Sequence, residues 1–293
     1  MDNFYTATVY EKGAEVVRMI HTFLGEALFQ KGMLHYFDQY DGNAITIEDF
    51  IATMEKVSGR NFDQFMHWYT QSGTPVVTMT REYDAERNTL FLTFKQSTRP
   101  DQYQQEKQPL HIPVRFNIID PHGNDMIAEQ EGLIELFKEE ETLSFENMPE
   151  NALPSVFRQF SAPVKIQTDL TNDELAFLMA HDRDGFNRWD AAQALFIKEI
   201  QQVADCLAAD QDPEISESLI QAFEKALLTS SDDRAFFAKT LRLPQEIELK
   251  DHFNPIDVDA IHQARNFVKK QIGAQLKEAF FSLVEQCSVP RQD

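Results

Sequence analysis

Eight histidines, two cysteines and 48 carboxylates are the residues of this 293-residue chain that could hold a metal or move a proton. Their spacing encodes no familiar site. His21, His35, His67, His111, His122, His181, His252 and His262 are scattered, and no two stand at i and i+4 as a helical zinc grip requires. Cys206 and Cys287 lie far apart within helical patterns, so they form neither a disulfide framework nor a multi-thiolate zinc site. Each reads as a small core hydrophobe. Asp41-Gly42 followed by Glu48 looks like the middle of a calcium loop, yet placing Gly42 at position six puts Phe37 where the first ligand must be. Gly185 treated alike puts Ala180 and Ala191 at the two ends, and both segments read as turns. Glu139-Glu140-Glu141 reads as a solvated turn between strands, since spacing alone assigns no carboxylate pair for glycoside chemistry. Phosphate-cradling glycine loops and a G-x-S-x-G elbow are missing from the sequence.

Charge narrows the partners. With 27 Lys+Arg against 48 Asp+Glu the chain carries −21, and its field repels phosphate backbones and anionic lipid. Nucleic acid and membrane surfaces are therefore not expected partners. No run approaches the ~18 consecutive apolar residues of a spanning helix. The start, Met1 to Tyr10, has no basic region followed by an apolar run, so no secretory signal is expected. Together with the two lone cysteines, this predicts a cytoplasmic protein.

The elements that would position any site change period along the chain. To about Gly73 the pattern is helical: Val16, Val17, Ile20, Phe23, Leu24 and Leu28 recur at helical spacing, and Met33, Leu34 and Phe37 continue it to the turn at Asp41-Gly42-Asn43. Thr46-Ile47-Glu48-Asp49 has the spacing of a capping box ahead of Phe50, Ile51, Met54 and Val57. A further helix over about residues 61–72 ends at Gly73, with Pro75 beyond. Strands follow: 75–80, 89–96 and 110–119 are rich in β-branched and aromatic residues, and shorter runs lie near 133–138, 142–146 and 155–167. Roughly seven strands in under 100 residues predict a β-sandwich. Thr171-Asn172-Asp173-Glu174 then opens a second helical region, with helices near 172–179, 186–208, 213–228, 232–241, 244–252 and 257–287. Amphipathic helices joined by short links predict a stacked array, because each pair needs a neighbour to cover its apolar face.

One segment adds chemistry that spacing does not supply. Val9-Tyr10-Glu11-Lys12-Gly13-Ala14-Glu15-Val16-Val17-Arg18-Met19, with Asn3 to Thr8 before it, resembles a run of the zinc aminopeptidases of the aminopeptidase N family. Leu24-Gly25-Glu26, Phe29-Gln30-Lys31-Gly32-Met33 and Trp68 through Pro75 are similar to its bacterial branch. So are Glu106 through Pro113, Phe160 through Val164 and Phe186 through Gln193. The resemblance covers essentially the whole chain. It implies a multidomain α+β architecture in three parts: residues 1–73 as the helical end of a thermolysin-like catalytic domain, 74–169 as a small β-sandwich, and 170–293 as part of a helical solenoid.

The resemblance also implies residue roles. Tyr10 falls on the family's tyrosine whose phenol donates a hydrogen bond to the oxyanion formed on the scissile carbonyl, a task suited to a neutral donor. Tyr5 falls where bacterial members place an aromatic beside the substrate side-chain pocket. The family's H-E-x-x-H zinc helix, its glutamate ligand and its G-x-M-E-N run have no counterpart here. Zinc supplies the Lewis acid and the activated water of this chemistry. The expectation is a C-terminal fragment of a zinc aminopeptidase, holding no catalytic metal itself and inactive alone. Its partners would be the missing N-terminal part and peptides with free N-termini. Helices severed from that part should expose an apolar face and favour self-association. The alternative is a free-standing sandwich and solenoid that binds peptides or proteins without turnover.

Overall fold

The computed structural model describes residues 8–128, 132–228 and 233–287. The chain divides into two compact units, Met1–Pro121 with Asp125–Asp169, and His122–Asn124 with Leu170–Asp293.

In the first unit a π-helical turn, Thr8–Lys12, runs directly into α1, Gly13–Tyr40. Val16, Ile20, Phe23 and Leu24 of the expected apolar face are buried, joined by Met19, whereas Val17 is half-buried and Leu28 is exposed. Gly25 breaks α1 internally with φ 70° and ψ 166°, a backbone region open essentially to glycine alone. The two apolar segments read in the sequence are thus halves of one interrupted helix. α2, Ile47–Ser58, opens on the expected capping box, in which Asp49 Oδ2 accepts from the Thr46 N–H at 2.9 Å. It closes at Gly59, whose left-handed φ of 70° lets its N–H reach the Glu55 carbonyl at 2.7 Å.

The helix expected over 61–72 is shorter than its apolar spacing suggests. α3 spans His67–Thr70 alone. Ahead of it, Asn61 and Asp63 bond each other's side chain and backbone, and i to i+3 bonds join Asp63 to Met66 and Gln64 to His67. These local bonds hold a chain of turns, and the turns still bury Phe62 and Phe65 completely.

Seven strands follow among the described residues: β1 Val76–Asp84, β2 Thr89–Ser97, β3 Ile112–Ile119, β4 Leu133–Leu136, β5 Glu140–Phe145, β6 Leu153–Val156 and β7 Lys165–Thr168. They form one sheet of order β5-β2-β1-β7 and another of order β4-β3-β6. Only the β1–β7 pairing is parallel, Val76 standing opposite Lys165. Leu90, Leu92 and Phe94 of β2 and Val114, Phe116 and Ile118 of β3 share one core, and the Phe116 and Phe145 rings meet across it at 5.3 Å. Gln96 enters this core as a polar residue with its amide satisfied: it donates to the carbonyls of Leu110 and Lys138 and accepts from the Leu110 N–H. Glu140 and Glu141 belong to β5, paired with Lys95 and Phe94, so the expected acidic turn extends into a strand. The period of two across Leu143 and Phe145 carries the pairing back into that run.

The second unit is helical. α4, Asn172–His181, starts at a capping box, where Glu174 Oε2 accepts from the Thr171 N–H at 2.8 Å and the Glu174 N–H donates to Thr171 Oγ1 at 3.3 Å. α5 is Gly185–Ala208, α6 Glu217–Leu228, α7 Arg234–Thr240 and α8 Glu246–Leu249, extended by a 3₁₀ turn at Lys250–His252. α9, Val258–Gln275, and α10, Lys277–Cys287, replace the single helix expected over 257–287. The break falls at Leu276, which leaves helical geometry (φ −103°, ψ 20°) while its side chain stays in the core. Leu195, Phe196, Ile200 and Val203 of α5 are buried with Leu219 and Phe223 of α6 and Ile261 and Val268 of α9. Buried Glu199 has its carboxylate occupied by Ser216, through both N–H and Oγ, and by Asn172. Cys206 is half-buried on α5 rather than in the core, because the helix carries it to the edge of its apolar stripe.

Candidate functional site

Tyr10 sits in the π-helical turn at the head of α1, and its side chain is 57% exposed. Single π turns of this kind displace the helical register and so re-aim the side chains they carry. The turn is anchored from its far end: Lys12 Nζ donates to the Gly73 carbonyl at 2.8 Å, and burial pulls the Lys12 pKa down from its ordinary value. Tyr10 is thereby placed at the surface on a tethered turn. Tyr5 lies outside the described residues.

Ser72, next to Gly73 in the chain, belongs to a second polar cluster that sequence spacing does not reveal. Lys107 Nζ, almost wholly buried, meets the Ser72 carbonyl at 3.1 Å, Ser72 Oγ at 2.9 Å, Asp101 Oδ2 at 3.0 Å and Gln104 Oε1 at 2.9 Å. Ser72 Oγ also donates to Asp101, and hydrogen bonds from Ser72, Lys107 and the Tyr103 and Gln104 N–H groups hold the Asp101 carboxyl far below the usual carboxylate range. A lysine beside a serine can serve as a base, but Lys107 here faces four oxygen acceptors, the surroundings of an ammonium. The cluster is a clamp on the loop that leads into β1. Its members come from positions 72 and 101–107, and no local signal announces them.

The histidines do not converge. His21 pairs with Glu26 at 2.7 Å, His67 faces the Pro109 carbonyl, and His111 lies on Glu135. His181 contacts the Phe177 carbonyl and Lys225, while His262 bridges Glu246 and Asn266. Among the described residues no three His, Cys, Asp or Glu side chains stand close enough to hold a metal ion. The residues described in this chain therefore do not fit a zinc.

Comparison with known proteins orders these observations. The Peptidase family M1 domain matches residues 1–69, a domain of unknown function with an Ig-like fold matches 73–169, and one with ARM repeats matches 172–292. Taken in order, the three matches make the chain similar to part of an M1 peptidase. The chain is 38% identical to Aminopeptidase N of Escherichia coli (strain K12) over 97% of its own length, and 38% identical to Aminopeptidase N of Haemophilus influenzae over 96%. The chain spans 33% of the length of each of these relatives. Among solved structures, Legionella pneumophila aminopeptidase A in complex with aspartic acid matches at a TM-score of 0.86 with 27% identity, covering 99% of this chain and 32% of that one. The helical end of an M1 domain, an Ig-like sandwich and an ARM-like array are thus the architecture.

Proposed function

We propose that this chain is part of a zinc-dependent aminopeptidase that hydrolyses single residues from the N-termini of peptides, and that it contributes one wall of the site. The observation that carries the reading is Tyr10. The run that includes it resembles the family's oxyanion-donor segment, and its phenol stands exposed on a tethered turn. A phenol in that place strengthens its hydrogen bond as negative charge develops on the substrate oxygen, which lowers the barrier without a proton leaving the tyrosine. Tyr5 would line the substrate side-chain pocket. Zinc, held by the H-E-x-x-H helix that this sequence lacks, would supply the activated water. On this reading residues 1–73, 74–169 and 170–293 are the three domains, the chain alone is inactive, and the enzyme works in the cytoplasm.

Immunoblotting of source cells with an antibody raised against this chain tests the reading. A native species far heavier than 33.9 kDa, active on aminoacyl anilides and silenced by chelation, is the expected result. A native species at 33.9 kDa that binds peptides without turnover would overturn it in favour of a free-standing sandwich and solenoid module.

A further inference from the structure

We infer that the first unit carries an anion pocket built to take a small carboxylate. A cavity of about 290 Å³ is lined by Arg18, His21 and Thr22 of α1, Arg115 of β3, and Gln159 and Ser161. All six belong to one compact unit. In a chain of net charge −21, this cavity gathers two guanidiniums and an imidazole.

The wall is built, and one of its cations is left over. Arg18 Nη2 donates to the carbonyls of Gln159 and Phe160, the latter at 2.9 Å, and Nε pairs with Glu15 at 3.6 Å. His21 Nε2 is turned to Glu26. Ser161 Oγ accepts from the Arg115 N–H and donates to the Pro113 carbonyl, each at 3.0 Å, while Thr22 Oγ1 donates to the Arg18 carbonyl at 3.0 Å. Against these occupied groups stands the Arg115 guanidinium. Its residue is the one position of β3 that is not buried, and among the described residues the guanidinium has no hydrogen-bond acceptor and no carboxylate partner. Five donors and a full charge, unpartnered on a residue that lines the cavity, call for an acceptor with two oxygens in one plane, which a carboxylate provides.

The backbone beside the cavity is held at a cost. Phe157, Gln159 and Phe160 adopt left-handed φ values of 59°, 57° and 51°, unfavourable for residues with a side chain. Arg18 holds two of their carbonyls, and Ser161 fixes the next residue to β3. Strain maintained by converging bonds keeps the cavity open rather than letting the segment relax into it. Two sources offer the ligand chemistry: a free small acid, or an acidic side chain of a polypeptide.

Calorimetric titration of the 293-residue chain with malonate tests the proposal. Saturable one-site binding is expected, weakened at least tenfold in Arg115→Gln and less in Arg115→Lys, which keeps the charge but loses the fork. The Arg115 guanidinium holds no protein group, so Arg115→Gln should melt as the parent does. Should it melt early, Arg115→Lys carries the comparison, with at least threefold weakening expected. Displacement of malonate by a glutamate-rich peptide would identify the source as a polypeptide side chain, and failure to displace would identify a free acid; both uphold the carboxylate site. Absence of saturable binding, or equal affinity in the Arg115 variants, would overturn it.

Discussion

His111 Nε2 lies 2.8 Å from Glu135 Oε2, and Arg60 grips both oxygens of the same carboxylate. The imidazole is stacked between Phe23 at 4.1 Å and Phe137 at 4.2 Å, and its backbone carbonyl accepts from Trp68 Nε1 at 2.9 Å. One carboxylate of β4 thus joins Arg60, just beyond α2, to His111, the residue that precedes β3. A half-buried charge of this kind is held in place only while its partners stay, because removing one leaves the others desolvated without compensation.

Glu135→Gln is expected to lower stability by about 1–3 kcal/mol, read from urea denaturation at neutral pH. Burial pushes the Glu135 pKa up, but hydrogen bonds from His111 and Arg60 and the Arg60 charge more than offset it, leaving the pKa below its ordinary value of 4.5. A depressed carboxyl contributes stability that is present above the ordinary value and lost as pH falls through the folded one. The gap between parent and variant should therefore be full at neutral pH and close below about 4.5. A gap that stays constant to pH 3 would show that the network is not what Glu135 contributes.

Gly25→Ala should destabilise the chain by about 1–3 kcal/mol although the added Cβ meets no side chain or backbone beyond its own helix turn within 4 Å. The cost is conformational, since φ 70° with ψ 166° is closed to alanine. Thermal melting checks this, and an unchanged midpoint would mean that α1 runs straight through Gly25 in solution.

The proposed role of Tyr10 is read in a longer enzyme that joins this chain to a zinc-bearing M1 segment. Tyr10→Phe should reduce kcat by about 10²–10³-fold with KM little changed, the signature of a donor that acts in the transition state. A tyrosine that only packs would leave kcat alone.

Leu34 and Phe37 of α1 are 67% and 58% exposed, and Leu28 is 38% exposed. An apolar helix face of this kind drives association when nothing covers it. Sedimentation of the isolated chain should show concentration-dependent self-association, and Leu34→Lys with Phe37→Asp should reduce it. A monomer at all concentrations would remove the argument.

Much of the fold was legible because its causes are local. The capping box at Thr46, the helix opening at Thr171 and the strand run over 89–96 depend on a few neighbouring residues, and each stands where the sequence pattern places it. Where a local pattern competed with other forces it misled: the apolar spacing over 61–72 yields turns, because the Asn61–Asp63 bonds outweigh four positions of helix. The likeness around Tyr10 is also a property of sequence alone.

What only the tertiary structure decided are the pairings between distant positions. Arg60 with Glu135, Lys107 with Ser72, and Arg18 with Gln159 are separated by 75, 35 and 141 positions, and nothing in either partner's neighbourhood specifies the other. Arg115 illustrates the reason. In the sequence it is one basic residue in a strand, and it becomes the unanswered charge of a cavity because β3 carries it there and the carbonyls of 159–160 are taken by Arg18 instead. Periodicity is set by the geometry of a single element, whereas a site is set by which elements meet.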